Sequence, residues 1–291
     1  MNRAYHGDKA NSMRESGAAL LSVVLVLGLL SVLIITITLY VNSRSTIVSL
    51  TREDFHKRVL VESAVAYGAG RVLSSPPGVP VIGDDRIRLN IGRASLSWVG
   101  ESGRLDINLA TPDRLIALFV GAGVVRDSAS VLVDQIVMRR SLLPDSPLPN
   151  AFKALSGKRV GPFDHVIELL TIPGMTADLY ARIEPLITVY GLANKIDPRL
   201  ARTALISSLL PLSSIDLARI EAARHATDEE MNAVITSIPD ASSLFDLQRS
   251  RATRIEITLQ TVHGSQQRVE IVFVAFDDDT VPFRILEWHD N

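Results

Sequence analysis

The stretch Ala18–Ser43, AALLSVVLVLGLLSVLIITITLYVNS, contains no charged residue. Crossing a bilayer takes about 20 apolar helical residues, so this run is long enough to span one. It also exceeds the roughly 7–15 apolar residues of a removable secretory signal, and is read as retained. Ser22, Ser31, Thr36 and Thr38 can return their hydroxyls to carbonyls of the same helix, and Gly28 is its one glycine. Beyond it, Ile47, Leu50, Phe55, Val59, Ala64 and Val65 recur at roughly helical spacing. No proline interrupts Ala18 to Ser75, and Pro76-Pro77-Gly78 then stops the helix. At about 1.5 Å per residue the predicted helix is roughly 80 Å long. Arg3, Lys9 and Arg14 precede the apolar run, while Arg44, Arg52, Lys57 and Arg58 follow it, so the positive-inside count leaves the orientation open.

The 291 residues have room for one or two domains besides this helix. Hydrophobic residues make up 47% of the chain, enough for a membrane segment and a globular core together. A net charge of −2 supplies no field that draws a polyanion. There are no cysteines, which excludes thiol nucleophiles, Cys-ligated zinc, iron–sulfur clusters and disulfides.

After Pro80 the pattern turns to short strands, at Arg86–Leu89 and Ala94–Val99. Thr111-Pro112-Asp113 makes a helix start, with Thr as cap and Pro at the first helical position. From about 112 to 248 the chain reads as helices with a loose repeat of three helical hairpins. Their turns fall at Leu118–Val124, Leu170–Met175 and Leu209–Leu212. The carboxyl end returns to strands: Ile255, Ile257 and Leu259 alternate, as do Val269, Ile271 and Phe273, and Phe283, Ile285 and Trp288 belong to a last strand. Turns at His263–Ser265 and Asp277–Thr280 make this an antiparallel meander. The organisation is a segment 1–17, a helix 18–75, a first sheet part 76–110, a helical block 111–250 and a second sheet part 251–291.

Catalytic groupings are missing from the sequence: no G-x-S-x-G, Walker loop, H-E-x-x-H or G-x-G-x-x-G occurs. The six histidines are scattered and read as ordinary surface residues. Asp277, Asp278 and Asp279 are weak candidate calcium ligands, since clustered carboxylates suit that ion, but they lack the alternation of an EF-hand loop and a solvated turn is the preferred reading, as for Asp84-Asp85. The turn Pro173-Gly174-Met175-Thr176 is similar to that of helix–hairpin–helix DNA-binding modules, in which amides at a helix start meet a phosphate. Phosphate contact also calls for basic neighbours, and His165, Glu168, Asp178, Arg182 and Glu184 do not make a basic face. No nucleic-acid partner is expected.

Several stretches resemble one family, the K-type minor pseudopilins of type II secretion. Arg14-Glu15-Ser16-Gly17 before the apolar run resembles a prepilin-type leader, cut after Gly17 to leave Ala18 as the first residue. Pilins carry Glu at the fifth mature position; here it is Ser22, a departure that K subunits share. A subunit at a filament tip has no neighbour ahead whose terminal ammonium needs neutralising. Glu101–Asn108 and Pro162–Gly191 match further stretches of that family, whereas Ile196–Ala201 (IDPRLA) lacks its usual Asn residues.

The resemblance implies an α+β fold: a long N-terminal transmembrane and stalk helix packed on an antiparallel pseudopilin sheet, with a large all-helical insertion. It implies a non-enzymatic tip subunit, anchored by one inner-membrane helix with its C-terminal domain in the periplasm of a Gram-negative bacterium, and possible calcium as cofactor. The implied partners are I- and J-type minor pseudopilins, the major pseudopilin, a prepilin peptidase and the inner-membrane secretion platform. Ala18, Ala19, Ser22, Gly28 and Ser31 are the candidates for close helix packing. A membrane-anchored DNA-uptake protein and a plain single-pass scaffold are the alternatives.

Overall fold

Helix α1 runs from Asp8 to Leu73. The computed structural model describes residues 8–76, 79–141, 161–191, 193–247, 250, 252–262, 264–276 and 283–290, with the backbone alone at 8–22 and 41–52. Contacts divide the chain into a unit Met1–Arg58 and a unit Val59–Asn291. The helix ends two residues short of the expected Ser75, because Ser74 and Ser75 turn their hydroxyls onto the Arg71 carbonyl at 3.1 and 2.9 Å.

Within the second unit, Leu60, Val61, Ala64, Val65, Ala69 and Val72 of α1 are buried. They form a stripe at helical spacing. Their partner is one face of a five-stranded antiparallel sheet of order β1-β2-β5-β6-β7, comprising β1 (Ile82–Leu89), β2 (Gly92–Gly100), β5 (Ala252–Thr261), β6 (Gln266–Ala275) and β7 (Phe283–Asp290). Alternate residues Ala94, Leu96 and Trp98 of β2, Ile255, Ile257 and Leu259 of β5, and Val269, Ile271 and Phe273 of β6 complete this core. That alternation is the period-2 signature of a half-buried strand. At Gly68 the backbone comes so near the sheet that a Cβ would lie 2.7 Å from Ile255 Cδ1, while a Cβ on Gly70 meets nothing within 4 Å. Gly68→Leu should therefore destabilise this unit by about 1–3 kcal/mol through overpacking. Gly70→Ala should stabilise it by about 0.5–1 kcal/mol through helix propensity. Urea titration of the two variants checks both signs.

β1 begins at Ile82, not Arg86, and takes in Asp84 and Asp85, which pair with Ser97 and Leu96 rather than forming a turn. Asp84 points away from α1 and Asp85 towards it, where the Tyr67 hydroxyl donates to it, and at an edge strand both charges stay in reach of water.

The described residues between β2 and β5 form a second module with its own core, reaching from Leu105 to Phe245. It contains β3 (Leu105–Asp106), α2 (Pro112–Gly121), α3 (Arg126–Ser141), α4 (Ala177–Ile183), β4 (Ile187–Thr188), α5 (Thr203–Leu209), α6 (Ser214–Ala222), α7 (Asp228–Ser237) and α8 (Ala241–Leu244). The block is not purely helical. β3 and β4 pair in parallel, and the first arm of the middle hairpin, Val166–Thr171, is a 3-10 helix. Thr111 stands at the N-cap of α2, but its hydroxyl makes no cap bond; its carbonyl accepts from Arg114 and Leu115 instead.

Candidate functional site

The apolar part of α1 presents an uninterrupted surface. Val23–Tyr40 has a mean hydropathy of 2.7, and none of it is buried. Ser31, Thr36 and Thr38 each donate to the carbonyl four residues earlier at 2.8 Å, so their polar atoms are satisfied within the helix. Gly28 and Ser31, three residues apart, share one face, and the space over Gly28 is open to a partner. Gly17, Ala18, Ala19 and Ser22 lie on α1, with only their backbone described.

The Pro173–Thr176 turn serves the module's core. Gly174 takes a φ of +89°, the Thr176 hydroxyl caps α4 by accepting from the Leu179 amide at 3.2 Å, and Met175 and Ile172 are buried. Guanidiniums near it are turned onto the chain itself: Arg182 donates to the Ala122 carbonyl at 2.5 Å, and Arg139 pairs with Glu168. Asp277, Asp278 and Asp279 lie outside the described residues. Among the described residues no group of three or more His, Asp or Glu side chains is arranged to hold a metal ion.

The two stretches that resemble the family bond to each other. Asp106 accepts from the Asn108, Leu109 and Gly191 amides at 2.7, 3.1 and 2.7 Å, and burial pushes its carboxyl up despite them. Asn108 donates to the Phe163 carbonyl at 2.9 Å and accepts from the Phe163 amide at 2.8 Å. The Arg104 guanidinium reaches the Glu184 carbonyl at 3.2 Å; burial lowers its proton affinity, and Glu101 opposes that. In Ile196–Ala201, Asp197 and Arg199 bond to each other. The Asp197 carboxylate holds the Arg199 amide and side chain at 2.9 Å, and Arg199 also pairs with Asp228.

Sequence reading missed the seam between the second module and the sheet's outer face. Glu101, fully buried, meets Arg254 Nε at 2.8 Å and Arg104 Nε at 3.6 Å, and its other oxygen takes the Thr188 hydroxyl. Arg254 also pairs with Glu270 and stands 3.9 Å from Glu184. Further along, Glu287 of β7 faces His165, His289 and Tyr190. These partners are far apart in the chain, Glu101 and Arg254 by 153 residues, so no local spacing announces them.

No family profile matches the sequence, and no curated protein matches it. Among solved structures, one chain from the crystal structure of the GspK-GspI-GspJ complex of the type 2 secretion system of enterotoxigenic Escherichia coli is similar, with a TM-score of 0.57 at 16% identity. The alignment covers 82% of this chain and 98% of that one. At such identity the likeness is one of fold: the protein has a pseudopilin-like α+β architecture with an N-terminal apolar helix and extra helices.

Proposed function

We propose that this protein is a K-type minor pseudopilin at the tip of a type II secretion pseudopilus, required for pseudopilus assembly and for export across the outer membrane. The observation that carries this reading is the second module. A separate core from Leu105 to Phe245 is set between adjacent strands of a pseudopilin-like sheet. Such bulk would crowd every repeating position of a filament shaft but is accommodated at its end. The similar chain comes from a complex of GspK, GspI and GspJ, and I- and J-type minor pseudopilins are the partners this reading assigns here, with the major pseudopilin along the shaft. Contact would be made through the apolar helix, where Ala18, Ala19, Ser22, Gly28 and Ser31 permit close approach. Before assembly the chain would sit as a single-pass protein in the inner membrane of a Gram-negative cell, beside the secretion platform, with residues beyond 43 in the periplasm.

A prepilin peptidase would cut between Gly17 and Ala18. Coexpression with that peptidase, followed by intact-mass measurement, should show loss of residues 1–17. Gly17→Glu should abolish the mass change while leaving membrane insertion intact. Recovery of an uncut chain from peptidase-positive membranes, or of the protein free in solution, would remove the tip assignment.

A further inference from the structure

Three arginines of the second module each fasten two backbone carbonyls. Arg140, near the end of α3, donates to the Ile107 and Ala110 carbonyls, both at 2.7 Å, across the turn between β3 and α2. Arg224, just past α6, donates to the Arg199 and Ala201 carbonyls at 2.8 and 2.7 Å, and also to the Glu221 carboxylate at 2.9 Å. Arg114, in the first turn of α2, joins two segments that are distant in sequence. It donates to the Asn194 carbonyl and, at 2.6 Å, to the Ser243 carbonyl. Lys195 adds its ammonium to the neighbouring Ser242 carbonyl at 3.0 Å. Ser242 and Ser243 belong to the four-residue helix α8, and carbonyls at a helix end have no partner within the helix.

Loop carbonyls beside a carboxylate are also what a hard divalent cation collects, and calcium takes about 6–8 such oxygens. In Ile196–Ala201 the oxygens that could serve are the Asp197 carboxylate and the carbonyls of Asp197, Arg199 and Ala201. All are taken. The Arg199 side chain holds both Asp197 carboxylate oxygens, at 3.1 and 2.9 Å, and the two residues are buried together. The Leu200 and Ala201 amides bond the Asp197 carbonyl, and Arg224 bonds the other two. Asp228, beside this loop, pairs with Arg199. An ion among these oxygens would have to displace two guanidiniums or stand next to them, and like charges at that range in a water-poor site repel strongly. The calcium that the family resemblance implies does not fit this loop. Burial lowers the proton affinity of Arg114 and Arg140, yet a guanidinium starts so high that it keeps its charge near neutral pH.

We propose that guanidiniums take the place of a metal ion in the second module: Arg114, Arg140 and Arg224 tie its loops together through their carbonyls, and these loops are ordered without calcium. A guanidinium suits the task because its planar fork presents several donors at once, so one side chain reaches two carbonyls. It is part of the chain and does not dissociate when divalent ions are diluted or chelated. A metal-dependent module, by contrast, loses its folded state with its ion. The surface that this module offers a partner is therefore the same whatever the divalent ions around it. The inference rests on the loops' own bonding and stands or falls separately from the tip assignment.

Hydrogen–deuterium exchange on the full chain in micelles tests this in millimolar calcium and in excess chelator. Peptides covering 107–111, 193–201 and 241–246 should exchange alike in the two media. Arg114→Lys keeps the charge and gives up the fork. Peptides from 193–197 and 241–246 should then exchange about tenfold faster in both media, because a hydrogen bond to a charged group is lost. Arg224→Lys should loosen 198–203 in the same way, with β5 and β6 unchanged as the internal reference. Slower exchange of these peptides in calcium than in chelator, in the unaltered chain, would overturn the proposal, and that comparison needs no variant to fold. Unchanged protection in both lysine variants would overturn it as well, by showing that the loops hold without the guanidiniums.

Discussion

Arg254→Met should cost the Val59–Asn291 unit about 3–5 kcal/mol of unfolding free energy, the largest loss expected from a single exchange here. The guanidinium side chain is 6% exposed and lies 2.8 Å from Glu101, whose side chain is fully buried, and it also pairs with Glu270. Burial alone would lower its proton affinity, but Glu101 and then Glu270 outweigh burial and raise it, so it stays charged. Taking the cation away leaves Glu101 with the Thr188 hydroxyl and, among the described residues, Arg104 at 3.6 Å as its remaining cation. That desolvation penalty, more than the lost attraction, is what the variant suffers. Glu101→Gln added to Arg254→Met should restore a large part of the loss, since the pair acts as one unit. Urea titration of the micelle-bound full chain, followed through Trp98 and Trp288, gives the number. A loss below about 1 kcal/mol would mean that water enters the seam and screens it as it does a surface pair.

How much of this could be read from residues depends on the range over which the physics acts. α1 was legible because its signal is local, an uncharged run and then a stop at serines and prolines, but its buried stripe was read only in part: Ala64 and Val65 are buried as expected, Phe55 is exposed, and the stripe runs on from Leu60 to Val72. The C-terminal meander was legible for the same reason, since Ile255, Ile257 and Leu259 alternate on one face and their partners follow within a hairpin. Charge at Asp84-Asp85 disguised the start of β1, because a solvated edge strand and a solvated turn accept the same residues. Val166–Thr171 has apolar residues enough for a helix, but the Glu168 side chain, bonded to the Asp164 and His165 amides and to Arg139, holds it as a 3-10 turn. The seam was not legible at all. Its residues have no pattern of their own, and His165 and His289 pass for surface histidines until the fold sets Glu287 between them.

Replacing residues 102–251 by a short turn should leave a chain that still folds as α1 on a five-stranded sheet, while export in a pseudopilin-dependent secretion assay falls to background. Gly100 and Thr253 are a ladder pair of β2 and β5, so the chain leaves the sheet and returns to it at neighbouring positions, and a hairpin loop can bridge them. The two cores are separate: the stripe of α1 packs on Ile255, Ile257 and Leu259, and none of these belongs to the cluster running from Leu105 to Phe245. What the excision uncovers is chiefly Arg254, Glu270 and Glu287, side chains that water accepts, with Val272 the apolar exception. Folding should remain cooperative, with a lower urea midpoint because the surviving unit is smaller and buries a smaller fraction of its surface. Loss of export with the sheet intact would place the function in the second module. Loss of the cooperative transition itself would show instead that sheet and module fold as one unit, with the seam's ion pairs as their common nucleus.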